Sequence, residues 1–193
     1  MTSVTRLKAE PPLLADHPVL DMLNTACMLE GRRHDFWKTD TDVVDWLVRA
    51  EWLIDSNGFD VGGELLPAAR DLRSIVQALV EQRKGGERLF LEALNRFLAE
   101  ARSYPQLVLG AELEPSLERV RPQQNSMQLL APLAEAAAEM LVDDDFSRIH
   151  TCANPDCILW YYDRTKSRRR RWCSASTCGN RHKVAAYRKR HQP

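Results

Sequence analysis

The stretch that decides the reading is Cys152-Ala-Asn-Pro-Asp-Cys157, followed after fifteen residues by Cys173-Ser-Ala-Ser-Thr-Cys178-Gly179-Asn180-Arg181. Two C-x4-C pairs of identical spacing offer two short loops, each presenting two thiolates. That is what one Zn²⁺ needs to complete a tetrahedron of soft ligands without straining the backbone. Asn154-Pro155 in the first loop and Ser174 and Ser176 in the second are turn formers between ligands. The expectation is one structural zinc ion on Cys152, Cys157, Cys173 and Cys178: with four protein ligands, no position remains for an activated water. His150 and His182 lie close enough in sequence to replace a thiol, but the four thiols suffice.

Between the pairs, Ile158-Leu159-Trp160-Tyr161-Tyr162 is an aromatic, strand-prone run, and Arg171-Trp172 reads as its return strand, giving a hairpin with a basic tip. After Cys178 the run GNRHKVAAYRKR has helical composition. Knuckle, hairpin and helix around one metal make a treble clef. So small a core buries too little apolar surface to stand alone, so metal binding supplies folding free energy, on the order of 10 kcal/mol or more.

The chain has 193 residues and a formal net charge of zero, but the charge is divided. Residues 151–193 hold 11 Lys/Arg against two acids, and residues 1–150 hold 16 against 25. An acidic body with a strongly basic tail points to a polyanionic partner for the tail. Arg164, Lys166, Arg168, Arg169, Arg170 and Arg171 crowd the expected hairpin tip and suit phosphate contacts, which position without reading sequence. Arg181, Lys183, Arg188, Lys189 and Arg190 lie on the expected helix. There Arg181, Ala185 and Arg188 share one face, and Val184 is expected to pack inward. Gly179 would allow close backbone approach, Asn180 would cap the helix or meet a base edge, and Arg181 is the candidate for guanine. Tyr161 or Tyr162, if exposed, would stack single-stranded bases, so a zinc-stabilised module that binds RNA, or a protein, stays open as the alternative to DNA.

Cys178-Gly179-Asn180-Arg181, with C-x4-C upstream, Trp172 directly before Cys173 and a basic helix behind, closely resembles the CGNR zinc finger. In that family the finger follows an N-terminal ABATE domain, and Leu20-Asp21-Met22-Leu23-Asn24-Thr25 looks like that domain's D-x-x-N-T signature, with a weaker likeness at Asp45-Trp46-Leu47. The resemblance implies a stress-induced transcription regulator, and it alone favours DNA over RNA.

The remaining chain reads as mainly helical. Apolar spacing predicts a helix from Asp16 to near Gly31, with Asp16 as cap and Pro18 in its first turn. It predicts others over 42–54 closed by Ser56-Asn57-Gly58, over 65–84 closed by Gly85-Gly86, over 88–102 with Leu89 and Phe90 inward, and over 126–142 with Pro132 in the first turn. Short apolar runs around 106–110 and 117–121, flanked by prolines and Gly110, read as a β-hairpin. Asp21, Asn24 and Thr25 interrupt the apolar run of the first helix. They either line a pocket for a small-molecule effector or form a buried polar network, and the second accounts for buried polar groups far more often.

The fold class is therefore α+β, mostly α: an ABATE-like, mainly helical sensing or assembly domain over residues 1–148, then a CGNR-type, treble-clef-like zinc finger with a basic helix over 149–193. No apolar stretch reaches the eighteen residues of a membrane span, the first residues lack a secretory pattern, and clustered cysteines fit a reducing compartment, so the expected location is cytoplasmic. No nucleophile–base pair, phosphate loop or paired carboxylates stand at informative spacing, so no enzyme is expected. One finger supplies little affinity, which leads to the expectation of a homodimer or further partner.

Overall fold

The computed structural model describes residues 10–29, 31–54, 63–110 and 113–190. In chain order the elements are α1 (Pro18–Leu23), β1 (Ala26–Leu29), β2 (Arg32–Asp35), α2 (Asp40–Arg49), α3 (Leu65–Gly85), α4 (Glu92–Ala99), β3 (Tyr104–Leu109), β4 (Pro115–Val120), α5 (Ser126–Asp143), β5 (Ile149–Thr151), β6 (Trp160–Tyr162) and α6 (Asn180–Arg190). A 3-10 turn, Phe146–Arg148, precedes β5, and a π-helical turn, Ala175–Gly179, leads into α6. The strands form three separate antiparallel pairs, β1 with β2, β3 with β4, and β5 with β6. This is the mostly helical α+β class expected, and among the described residues no helix is long and apolar enough to cross a membrane.

The chain divides into two compact units, Met1–Trp37 with Ser147–Pro193, and Lys38–Phe146. The first therefore joins the N-terminal segment to the cysteine region, across the 148/149 boundary that the sequence suggests.

In the second unit, α3 and α5 pack along each other, α4 packs on both, and α2 packs on α3. Leu72, Val76, Leu79 and Val80 of α3 and Leu130, Leu133, Ala134 and Ala137 of α5 are almost wholly buried. A capping box starts α2: Asp42 N donates to Thr39 Oγ1 at 3.2 Å, and Thr39 N donates to Asp42 Oδ2 at 2.9 Å. Gly86, at φ 69°, ends α3 in the left-handed conformation that glycine adopts without penalty. The expected stop at Ser56-Asn57-Gly58 lies outside the described residues. Two expectations need correcting here. Pro132 sits inside α5, nearly two turns beyond its start, where it forgoes one helical hydrogen bond. Helix α4 begins at Glu92, leaving Phe90 exposed under the Arg88 guanidinium, 5.9 Å from its ring centre.

In the first unit the helix predicted from Asp16 to Gly31 ends at Leu23, and the chain turns into the β1–β2 hairpin. His17, not Asp16, caps it: Val19 N donates to His17 Nδ1 at 3.2 Å. The helix stops because its next two side chains take other partners. Thr25 Oγ1 donates to the Met22 carbonyl at 2.7 Å, and Asn24 is engaged by β6. Ala26 and Cys27, read as a helical repeat, bury their side chains as a strand.

Candidate metal centre and basic surface

The turn between β5 and β6 is the first knuckle. Cys152 N donates to the Leu159 carbonyl and Cys157 N to the Asn154 carbonyl, both at 2.9 Å, while Asp156 N donates to Asn154 Oδ1 at 3.3 Å. The Asn side chain thus fixes the turn that brings Cys157 back toward Cys152. Strand β6 pairs with β5, His150 opposite Tyr161. The expected return strand at Arg171-Trp172 does not form; that segment is tied instead by one bond, Ala153 N to the Arg171 carbonyl at 2.9 Å. In the second knuckle, Thr177 N donates to Ser174 Oγ at 3.3 Å and Gly179 N to the Ser174 carbonyl at 3.0 Å, winding the π-turn that carries Cys178 to the start of α6.

The four Sγ atoms lie within 4.8 Å of one another, with Cys157 and Cys173 3.8 Å apart. That spacing matches the edge of a tetrahedron built on zinc–sulfur bonds of about 2.3 Å, which is about 3.8 Å, and far exceeds a disulfide of roughly 2 Å. Cys152, Cys173 and Cys178 are buried, and Cys157 is partly so. Cys173 N donates to Cys152 Sγ at 3.4 Å, and Asn154 Nδ2 to Cys178 Sγ at 3.6 Å, the kind of outer hydrogen bonds that stabilise bound thiolates. The charge distribution makes the same point. The hydrogen bond from Cys173 holds Cys157 down at about 5 against the opposing effect of burial. Sharing that bond and being buried push Cys173 far up, and burial pushes Cys152 up. Four thiolates this close need a cation at their centre, and the donor set fits one zinc ion. His150 and His182 serve elsewhere, their rings 5.6 Å from Tyr161 and 4.7 Å from Trp172.

The N-terminal segment completes this centre, which the sequence did not reveal. Cys27 and Phe36, from β1 and just after β2, join Cys152, Leu159, Tyr161, Cys173 and Cys178 in one buried cluster. Asn24, wholly buried, grips the backbone of Trp160 at both ends: its Nδ2 donates to the Trp160 carbonyl at 2.9 Å, and Trp160 N donates to its Oδ1 at 2.8 Å. It stands in for a third strand beside β6. Asp21 Oδ1 accepts from Leu14 N at 2.8 Å and Ala15 N at 2.9 Å, and Tyr162 N donates to the Ala15 carbonyl at 2.7 Å. Asn24 directly, and Asp21 through Ala15, thus fasten the segment to the finger, while Thr25 braces the segment itself, donating to the Met22 carbonyl and accepting from Phe36 N at 2.9 Å. The signal was present in the polar interruption of an apolar run, but nothing in the sequence named its partner.

Arg170 has the same fastening role. Its guanidinium donates to the carbonyls of Leu14 (3.1 Å), Tyr162 (3.2 Å), Trp172 (3.0 Å) and Cys173 (2.6 Å), pairs with Asp16, and lies over the Tyr161 ring at 4.5 Å. It is committed inside the fold and is not available to a partner, contrary to its expected place among the phosphate contacts. The buried Asp163 shapes the loop before it, accepting from Thr165 N (2.9 Å), Thr165 Oγ1 (2.6 Å) and Arg170 N (2.9 Å). Burial alone would raise its carboxyl, but these bonds bring it below the usual carboxylate range. Arg164 is half committed, its Nε donating to the Asp16 carbonyl at 2.8 Å.

What remains outward is a basic surface of two parts. On the loop, Lys166, Arg168, Arg169 and Arg171 are exposed, and Arg171 lies over Trp172 at 5.4 Å. On α6, Asn180, Arg181, Lys183, Arg188 and Arg190 are exposed; the side chain of Lys189 lies outside the described part. Arg181, Ala185 and Arg188 do share a face, and with Thr177, Asn180 and Val184 they line one open groove. Val184 is 49% exposed, so it does not pack inward as expected, and Tyr187 is 57% exposed beside it. Gly179 is buried against Trp172 and Ser174, so it offers no approach to a partner. Tyr161 is buried too, its hydroxyl donating to the Arg170 carbonyl at 2.7 Å, so it is no platform for a base.

Two family models match the chain. Residues 16–144 match ABATE, described as a "putative stress-induced transcription regulator", and residues 148–191 match the CGNR zinc finger. A search among curated proteins finds no match. Since the first model alone spans two thirds of the sequence and the second covers the cysteine cage, the chain belongs to the ABATE family and ends in a CGNR zinc finger.

Proposed function

We propose that the protein is a transcription regulator that binds DNA through its zinc-held C-terminal module, a treble-clef-like finger. The observation that carries this is helix α6: along its described length it is exposed, it bears Arg181, Lys183, Arg188 and Arg190 without one acid, and it continues directly from the π-turn that holds Cys178 in the four-cysteine cage. A helix fixed at one end, with small Ala185 between Arg181 and Arg188, suits entry into a major groove. The loop arginines supply phosphate contacts beside it.

Fluorescence anisotropy of labelled duplex DNA against salt concentration tests the proposal. Arg181→Ala with Arg188→Ala is expected to weaken binding and flatten the slope of log affinity against log salt by about 1.8. Absence of duplex binding, or a slope untouched by the double substitution, would overturn it. Tighter binding of single-stranded RNA in the same assay would move the assignment to RNA.

A further inference from the structure

The β3–β4 hairpin presents leucines to solvent and, among the described elements, packs chiefly on itself. Its register places Leu107 opposite Leu117, Leu109 opposite Pro115 and Pro105 opposite Arg119, so these six residues share one face. Leu107 is 73% exposed, Leu109 and Leu117 are each 70% exposed, and Leu113 at the turn is 76% exposed. Leu113 also has φ 62°, a left-handed conformation unfavourable for a bulky side chain. An isolated two-stranded hairpin is marginal in water, and a contiguous apolar patch of this kind marks an interaction surface.

We infer that this leucine face is the interface of a homodimer, two hairpins packing face to face across a two-fold axis. Three observations select a second copy. The centre of the face carries no ionisable group, and Arg119 at its base is bonded to Ser103 Oγ at 2.8 Å, so the surface complements itself without needing an opposite charge. Pro105 and Pro115 each remove a backbone donor, one from each strand, which blunts the edges against strand addition and leaves the face as the site. Leu107, Leu109 and Leu117, with the exposed Pro105 and Pro115 beside them, present roughly 500 Å² on each copy, so pairing removes about 1,000 Å², the lower bound of a specific interface. A dimer would carry two α6 helices. The inference stands apart from the nucleic-acid reading, and either can fail alone.

Sedimentation equilibrium over micromolar to submillimolar concentrations decides the matter. The 22.1 kDa chain is expected at twice that mass at the upper end, and Leu107→Lys with Leu117→Lys is expected to sediment as a monomer with unchanged helical signal. In parallel, Leu117→Cys should cross-link between copies with a short bismaleimide, whereas Ser116→Cys, on the opposite face, should not. This arm remains decisive if the lysine variant fails to fold. A chain monomeric at every concentration, as it would be were another protein the natural cover, overturns the inference. So does a dimer that survives the lysines, or equal cross-linking at positions 116 and 117.

Discussion

Replacing Asn24 by alanine is the sharpest perturbation of the metal centre that leaves its ligands alone. The side chain is wholly buried and satisfies the N–H and the C=O of Trp160 at 2.8 and 2.9 Å. Alanine strands both backbone groups where water does not reach. Each buried orphan costs about 1–3 kcal/mol, so the module loses roughly 2–6 kcal/mol. Folding and zinc binding are linked in a core this small, so a loss of about 3 kcal/mol appears as zinc affinity weaker by roughly two decades, at about 1.36 kcal/mol per decade. Asn24→Asp keeps the acceptor for Trp160 N but turns a carboxylate against the Trp160 carbonyl, and should cost at least as much. The assay is competition of the full-length reduced protein with a chromogenic zinc chelator, with helical circular dichroism confirming that the Lys38–Phe146 unit is intact. An intact variant that holds zinc as tightly as the parent would refute the claim that the N-terminal segment is part of the finger.

Three other outcomes follow from the same geometry. Arg170→Lys keeps the charge but loses the guanidinium fork, so zinc release should quicken; Arg169→Ala should leave zinc release unchanged and flatten the salt slope of DNA binding by about 0.9, and similar behaviour of the two variants would contradict the division of labour drawn between them. Loading zinc at neutral pH should release at least two protons, from Cys152 and Cys173, whose pKa values are raised, while Cys157 at about 5 enters ionised; affinity should therefore rise with pH, and calorimetry in buffers of differing ionisation enthalpy that finds no proton release would contradict it. Gly86→Ala meets no neighbouring atom but holds a side chain at φ 69°, so it should cost about 1 kcal/mol and lower the melting temperature of the helical unit by a few degrees, whereas an unchanged melting temperature would deny glycine that role.

The metal site was legible because its chemistry is written in spacing: two C-x4-C pairs declare four ligands, and the cage follows without knowledge of the strands. Helices α3 and α5 were legible because apolar periodicity over five turns leaves little ambiguity, and Gly85-Gly86 marked one stop. Short elements were not. Ala26 and Cys27 fit a helical repeat as well as a strand, and only the capture of Asn24 by Trp160, 136 residues away, decides between them. Long-range pairing of this kind leaves no local pattern. Arg170 shows the same limit from another side. In sequence it is one of four consecutive arginines, and only the fold separates the one that binds five carbonyl-bearing or acidic partners inside from the three that face solvent. Val184 departs from its expected inward place because α6 lies on no core and is exposed along its described length.

The central claim is that four thiolates hold one zinc ion and so fix a basic helix by its first turn. Native mass spectrometry of the reduced full-length chain, with elemental analysis of the same sample, measures it directly. The expected result is one zinc ion per chain, lost on Cys173→Ser together with the ordered signal of α6. A chain free of metal, or one that keeps its zinc after that substitution, would contradict the account.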